Sequence, residues 1–196
     1  MKRTVVVVIA VLLVLIAVAG GGLAVFLTKA GGFSTRENPT ALEHVLARAT
    51  RHLAIPRGAR EMTNPIPVTP ELLVEARRHF ADHCATCHAN DGSGNTEIGR
   101  MLYPKAPDMR LADTQSLSDG ELYFIIQNGV RLTGMPAWGS NSGHDHDSWA
   151  LVHFIRRLPN LTAEEIEDMK RYNPRSPAEM EEEKQEEEFL NGGPQK

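Results

Sequence analysis

Apolar residues run without a charge from Val5 to Leu27, and beyond them the pattern breaks into short helical repeats separated by glycine and proline. At about 1.5 Å rise per residue, the first run is long enough to cross a hydrocarbon layer of about 30 Å. Leu42, Val45, Leu46, Ala49 and Leu53 recur at helical spacing, predicting an amphipathic helix that packs on the domain, the alternatives being that it lies on the membrane surface or binds a partner subunit. Pro56, Pro65, Pro67 and Pro70 mark an extended lead-in, and Thr69 with Pro70 opens a helix whose stripe is Leu72, Leu73, Ala76 and Phe80. Ser118 and Glu121 form a capping box before Leu122, Ile125 and Ile126, and Gly129 ends that helix. Trp149, Val152, Phe154, Ile155 and Leu158 make another, and Thr162 with Glu165 caps a further one. Ser176 with Glu179 opens a last stretch too charged to bury a face. The pattern predicts an all-α chain.

Charge changes the picture at the two ends. Lys2, Arg3 and Lys29 face no acid in residues 1–30, whereas seven glutamates oppose Lys184 and Lys196 from Ser176 onward. Residues 31–175 are close to neutral, so nothing points to a nucleic-acid partner. The basic start favours a cytoplasmic N-terminus and an exported remainder. Ala17-Val18-Ala19 also fits a signal-cleavage site, but apolar character resumes at Leu23–Leu27, which favours a retained anchor.

Two cysteines occur, both within Cys84-Ala85-Thr86-Cys87-His88. This spacing is that of a c-type haem attachment site: two thiols for two porphyrin vinyl groups, then an imidazole for iron. No further cysteine remains for a four-ligand zinc site, and no βαβ pattern surrounds the pair as a thioredoxin-like motif requires. His144-Asp145-His146-Asp147 reads as a solvated loop and helix cap, its adjacent spacing being poor for convergent metal ligation. His44 and His52 read as surface residues.

Ala76 and Phe80 stand eight and four positions before Cys84, and with the motif they make the chain resemble the class I cytochrome c family. In that family a small residue, usually glycine, and an aromatic occupy these offsets where the first and last helices cross; here alanine replaces glycine. The glycine-rich turn Ala89–Gly94 is similar to the family's loop after the motif. Lys105-Ala106-Pro107-Asp108-Met109 resembles its Pro-x-Leu segment with methionine in the leucine place. The resemblance implies that the Pro107 carbonyl accepts a hydrogen bond from His88 Nδ1. Gly134-Met135-Pro136 resembles the distal-ligand loop, implying that Met135 is the second axial ligand. It covers roughly residues 70–158.

The reading that follows is a small cytochrome c-like helical bundle around one covalently bound haem c, preceded by a single transmembrane helix. Its parts are an anchor or signal segment at 1–30, a linker with an amphipathic helix at 31–69, a haem domain at 70–158 and an acidic helical extension at 159–196. Cys84 and Cys87 bind haem; His88 and Met135 ligate its iron. The implied function is one-electron transfer between redox partner proteins at the bacterial inner membrane, with the haem domain on the periplasmic side. That role, in a respiratory chain or as a subunit of a respiratory complex, involves no small-molecule substrate and no enzymatic step of the chain's own. The competing reading is a haem sensor or oxidoreductase whose distal methionine is displaceable.

Overall fold

The computed structural model describes residues 2–29, 34–139 and 145–190; His144 of the His-Asp cluster and Lys196 lie outside them. The regular elements of the described residues are all helices, without strands. The apolar run forms α1 (Lys2–Lys29), whose hydrophobic window has none of its surface buried against the rest of the chain. Then come α2 (Ala41–Ala54), α3 (Arg57–Arg60) and α4 (Pro70–His79). The chain leaves α4 through a π-helical turn, Phe80–Cys84, that leads into α5 (Ala85–His88). Two short helices, α6 (Glu97–Met101) and α7 (Ala112–Gln115), precede α8 (Asp119–Asn128) and α9 (His146–Arg157). Finally α10 (Ala163–Met169) and α11 (Pro177–Leu190) close the described chain.

The caps form as their sequences predict. Leu72 donates its backbone N–H to Thr69 Oγ1 at 3.1 Å, with Pro70 in the first helical turn. Ser118 and Glu121, and Thr162 and Glu165, satisfy each other's orphan amides reciprocally. Asp145 caps α9, accepting from Ser148 N at 3.0 Å.

The core forms where α4 crosses α9. Ala76 and Val152 are buried there, and the Phe80 and Phe154 rings lie 5.1 Å apart. A small residue at position 76 permits the close crossing. Against this pair sits α8, with Tyr123 stacked on Trp149 at 4.0 Å. Packing continues beyond residues 70–158 on both sides. Met169 of α10 is wholly buried in the same cluster, and Met62 and Ile66 of the lead-in lean on it. Asn64 Nδ2 donates to the Trp149 carbonyl at 2.9 Å, and Ser118 Oγ donates to the Arg60 carbonyl at 2.9 Å.

Two surface helices differ from each other in an instructive way. The acidic α11 is exposed along its length, as its composition requires. The amphipathic α2 does meet the domain, but through its polar side, which corrects the expected apolar packing. Glu43 accepts from Tyr103 Oη at 2.8 Å, Arg48 pairs with Asp113, and His52 lies 3.8 Å from Glu121. Leu42, Val45, Leu46 and Leu53 remain 56–79% exposed.

The Arg156 guanidinium donates to Asp119 Oδ1 and to the carbonyls of Gln115 and Leu117, tying α9 to the approach to α8. Arg156→Ala removes the donor from two backbone carbonyls and a carboxylate, and should cost about 2 kcal/mol in chemical denaturation. Arg157→Ala, at an exposed position facing Glu165, should stay within about 0.5 kcal/mol.

Candidate cofactor site

The CxxCH segment is held at the end of the core helix. Phe80 and Ala81 are buried, and the Ala85 N–H reaches back to the Phe80 carbonyl, closing the wide turn. This i→i+5 turn widens the helix immediately before the motif, where such turns often sit at functional sites. Cys84 and Cys87 are half-buried free thiols, with no disulfide between them. Burial pushes the Cys84 thiol up to about 12, with the neighbouring Cys87 adding to the effect; burial also raises Cys87. Both are therefore thiols rather than thiolates at neutral pH. In apo protein, Cys87 should be alkylated faster than Cys84, and both rates should climb as pH rises toward 9, measurable by mass spectrometry after a timed iodoacetamide pulse.

His88 ends α5, and Ala89 leaves it at φ 61°. The Nδ1 of His88 is buried and makes no hydrogen bond of good geometry within the chain. Burial lowers the ring's proton affinity, and the Pro107 carbonyl partly offsets it. The net shift is downward, so the imidazole is neutral at physiological pH, the form that binds a metal.

The segment carrying Pro107 is fixed beside the motif by backbone contact and by one arginine. A Cβ on Gly94 would lie 2.4 Å from the Ala106 carbonyl, and Gly94 N donates to the His88 carbonyl at 2.8 Å. Arg110 forks onto Asp108 at 2.9 and 2.7 Å and reaches Asp91 at 2.9 Å. That hydrogen bonding holds the Asp108 carboxyl below its usual range. Met109 is buried, as the resemblance to an apolar place in that segment implies, and its N–H meets the Gly92 carbonyl at 2.8 Å.

On the other flank, α6 closes against α5. A Cβ on Gly99 would come within 2.3 Å of the Cys87 carbonyl, and Thr96 Oγ1 donates to that same carbonyl at 3.2 Å. Leu102, just past α6, meets the loop of Met135: a Cβ on Gly134 would lie 2.5 Å from its Cδ2.

The Met135 loop is short and internally bonded. Gly129 turns the chain out of α8 at φ 64°, where a Cβ would strike the Met135 carbonyl at 2.6 Å. Val130 N donates to that carbonyl at 3.1 Å, and Met135 N donates to Thr133 Oγ1 at 3.1 Å. Trp138 N returns to the Ile126 carbonyl, and buried Gln127 braces the return by bonding Ser148 Oγ at 2.8 Å. Met135 itself is half-buried.

The structure thus gathers Cys84, Cys87, His88 and Pro107 around one turn, and joins the Met135 loop to that group through α6 and Leu102. Thr96, Gly99, Arg110, Gln127 and Thr133 were not singled out by sequence reasoning. Only Gln127, a polar residue within an apolar helix, carried a local signal.

These residues fit a haem. Two thiols, a neutral imidazole with one buried nitrogen and a thioether make the donor set of a c-type site. The flanking α6 and Met135 loop present uncovered apolar side chains, with Ile98 at 48%, Met101 at 63%, Leu132 at 93% and Trp138 at 43% exposure. Among the described residues, no group of three or more His, Cys, Asp or Glu side chains is placed to hold a bare metal ion.

Residues 72–155 match the family model described as cytochrome C oxidase, cbb3-type, subunit III. The Cbb3-type cytochrome c oxidase subunit FixP of Rhizobium meliloti (strain 1021) is 40% identical over 81 residues, covering 40% of this chain and 25% of its own length. The subunit FixP of Sinorhizobium medicae (strain WSM419) is 40% identical over 74 residues, 37% of this chain and 23% of its own. The subunit FixPc of Rhizobium leguminosarum bv. viciae is 36% identical over 94 residues, 47% of this chain and 30% of its own. The chain spans about a quarter of the length of the first two relatives.

Proposed function

We propose, on the premise that residues 72–155 are a c-type cytochrome domain with haem c as its cofactor, that this chain is a membrane-anchored one-electron relay serving a respiratory oxidase. The observation that carries the reading is the joining of the Cys84–His88 turn to the Met135 loop through α6 and Leu102. Haem c supplies a one-electron ferric–ferrous couple.

The chain's residues account for the rest. Cys84 and Cys87 would hold the porphyrin by thioether bonds. His88 would bind the iron, with the Pro107 carbonyl placed to accept a hydrogen bond from Nδ1–H, which would orient the ring and raise its donor strength. Met135 would supply a thioether to the iron, which would favour the reduced state and raise the potential. Held by both residues, the iron would have no position left for a substrate. The chain itself performs no bond-making step, and catalysis belongs to the partner. The anchor α1 stays with the mature chain and places the domain on the periplasmic side of the bacterial inner membrane.

Membranes containing the full-length chain, reduced with ascorbate, test this. The reduced haem c band should disappear when oxygen is admitted, only where a terminal oxidase is present and not where cyanide blocks it. Rapid oxidation of the purified chain by oxygen or peroxide alone would favour the oxidoreductase reading instead.

A further inference from the structure

The apolar stripe of α2 has no partner in the chain, and two features of the molecule indicate its partner. On a helical projection, Leu42, Val45, Leu46, Ala49 and Leu53 share one face, while Glu43, Arg48, Arg51 and His52 lie on the remainder. That polar side is committed to the domain through Tyr103, Asp113 and Glu121. The helix is therefore fixed with its leucines pointing away from the haem domain, and Leu53 is 79% exposed. A monomer in water rarely displays such a stripe without use.

The first feature is continuity with the anchor. Eleven residues separate Lys29 at the end of α1 from Ala41 at the start of α2. Even fully extended they reach about 40 Å, so α2 stays near the bilayer surface that α1 crosses. The second feature is charge. Arg36 just before α2 and Arg57 just after it flank the stripe, whereas Arg48 and Arg60 are already engaged, with Asp113 and with the His52 and Ile55 carbonyls. An apolar stripe flanked by arginines at its two ends suits an anionic lipid surface, in which such helices lie parallel to the membrane plane.

We infer that the outward face of α2 is a phospholipid-binding surface that seats in the headgroup region beside the anchor. The inference rests on the anchored reading above, and is independent of electron transfer. Seated this way, α2 fixes the orientation of the haem domain, because Tyr103 and Asp113 bracket the segment that carries Pro107.

The test uses the full-length holoprotein, whose own cysteines are consumed by haem, in vesicles of phosphatidylcholine and phosphatidylglycerol. Nitroxide labels are attached singly at Leu46→Cys on α2, Glu187→Cys on exposed α11 and Leu15→Cys in α1. Accessibility is compared between oxygen, which partitions into lipid, and a water-soluble nickel chelate. The position 46 label should show an oxygen-to-nickel ratio several-fold above that at 187, with an unchanged haem spectrum. Adding Leu42→Ser and Leu53→Ser should bring it down toward the value at 187. Equal ratios at 46 and 187 with a bilayer-like value at 15 would overturn the inference while leaving the anchor intact. A water-like value at 15, or a purified mass lacking α1, would defeat the anchored reading itself. Protection of position 46 from both reagents would assign the face to a protein partner or a second copy, and would also overturn the inference.

Discussion

Met135→His lowers the reduction potential of the haem by a sizeable fraction of the roughly 0.8 V that axial ligands command. The reason is electronic. A thioether is a weak donor that favours ferrous iron, whereas a second imidazole stabilises the ferric state. The loop should tolerate the exchange, because its shape is set by backbone bonds to the Met135 carbonyl and amide rather than by the side chain. Met135→Ala has a different signature: the ferric protein loses its methionine–iron charge-transfer band, and the ferrous protein gains an open coordination position. Potentiometric titration followed optically distinguishes the two variants. A potential unmoved by Met135→His would place the distal ligand elsewhere. Met101, 63% exposed on α6, and buried Met109 are the other methionines between residues 70 and 158.

The second large effect is all-or-none. Replacing both Cys84 and Cys87 by serine abolishes haem staining of the chain on a denaturing gel, since no thioether can form. Either single replacement leaves one covalent link and a weaker but persistent stain. Beyond the stain, the double variant should release its haem on dilution, because the tether holds the cofactor at high effective concentration next to His88. Helix content should fall with the haem, since Ile98, Met101, Leu132 and Trp138 would then lack an apolar partner. A double variant that still stained would contradict covalent attachment through these residues.

What the sequence discloses and what it hides divides along the range of the interactions involved. Thr69–Leu72, Ser118–Glu121 and Thr162–Glu165 bond within one turn, so their residue types alone announce them. The Cys84–His88 motif is legible for the same reason. The lead-in is different: Met62 and Ile66 join the core as scattered apolar residues without a periodic signal. Met169 is similar, a single wholly buried side chain in an otherwise acidic helix, and it extends the packed unit past residue 158. The orientation of α2 was hidden altogether. Its stripe suggested inward packing, yet Glu43, Arg48 and His52 find partners 60 or more residues away. Likewise the hold on Pro107 depends on Gly94 and Arg110, whose roles exist only once Asp91, Ala106 and Asp108 are brought together.

The central claim is that protein fills both axial positions of the haem, making the chain a relay rather than a reactive site. Carbon monoxide added to the dithionite-reduced, full-length protein tests this most directly, with Met135→Ala as the positive control. The account predicts an unchanged ferrous spectrum for the parent protein and a prompt shift for the variant. A prompt shift in the parent protein would contradict it.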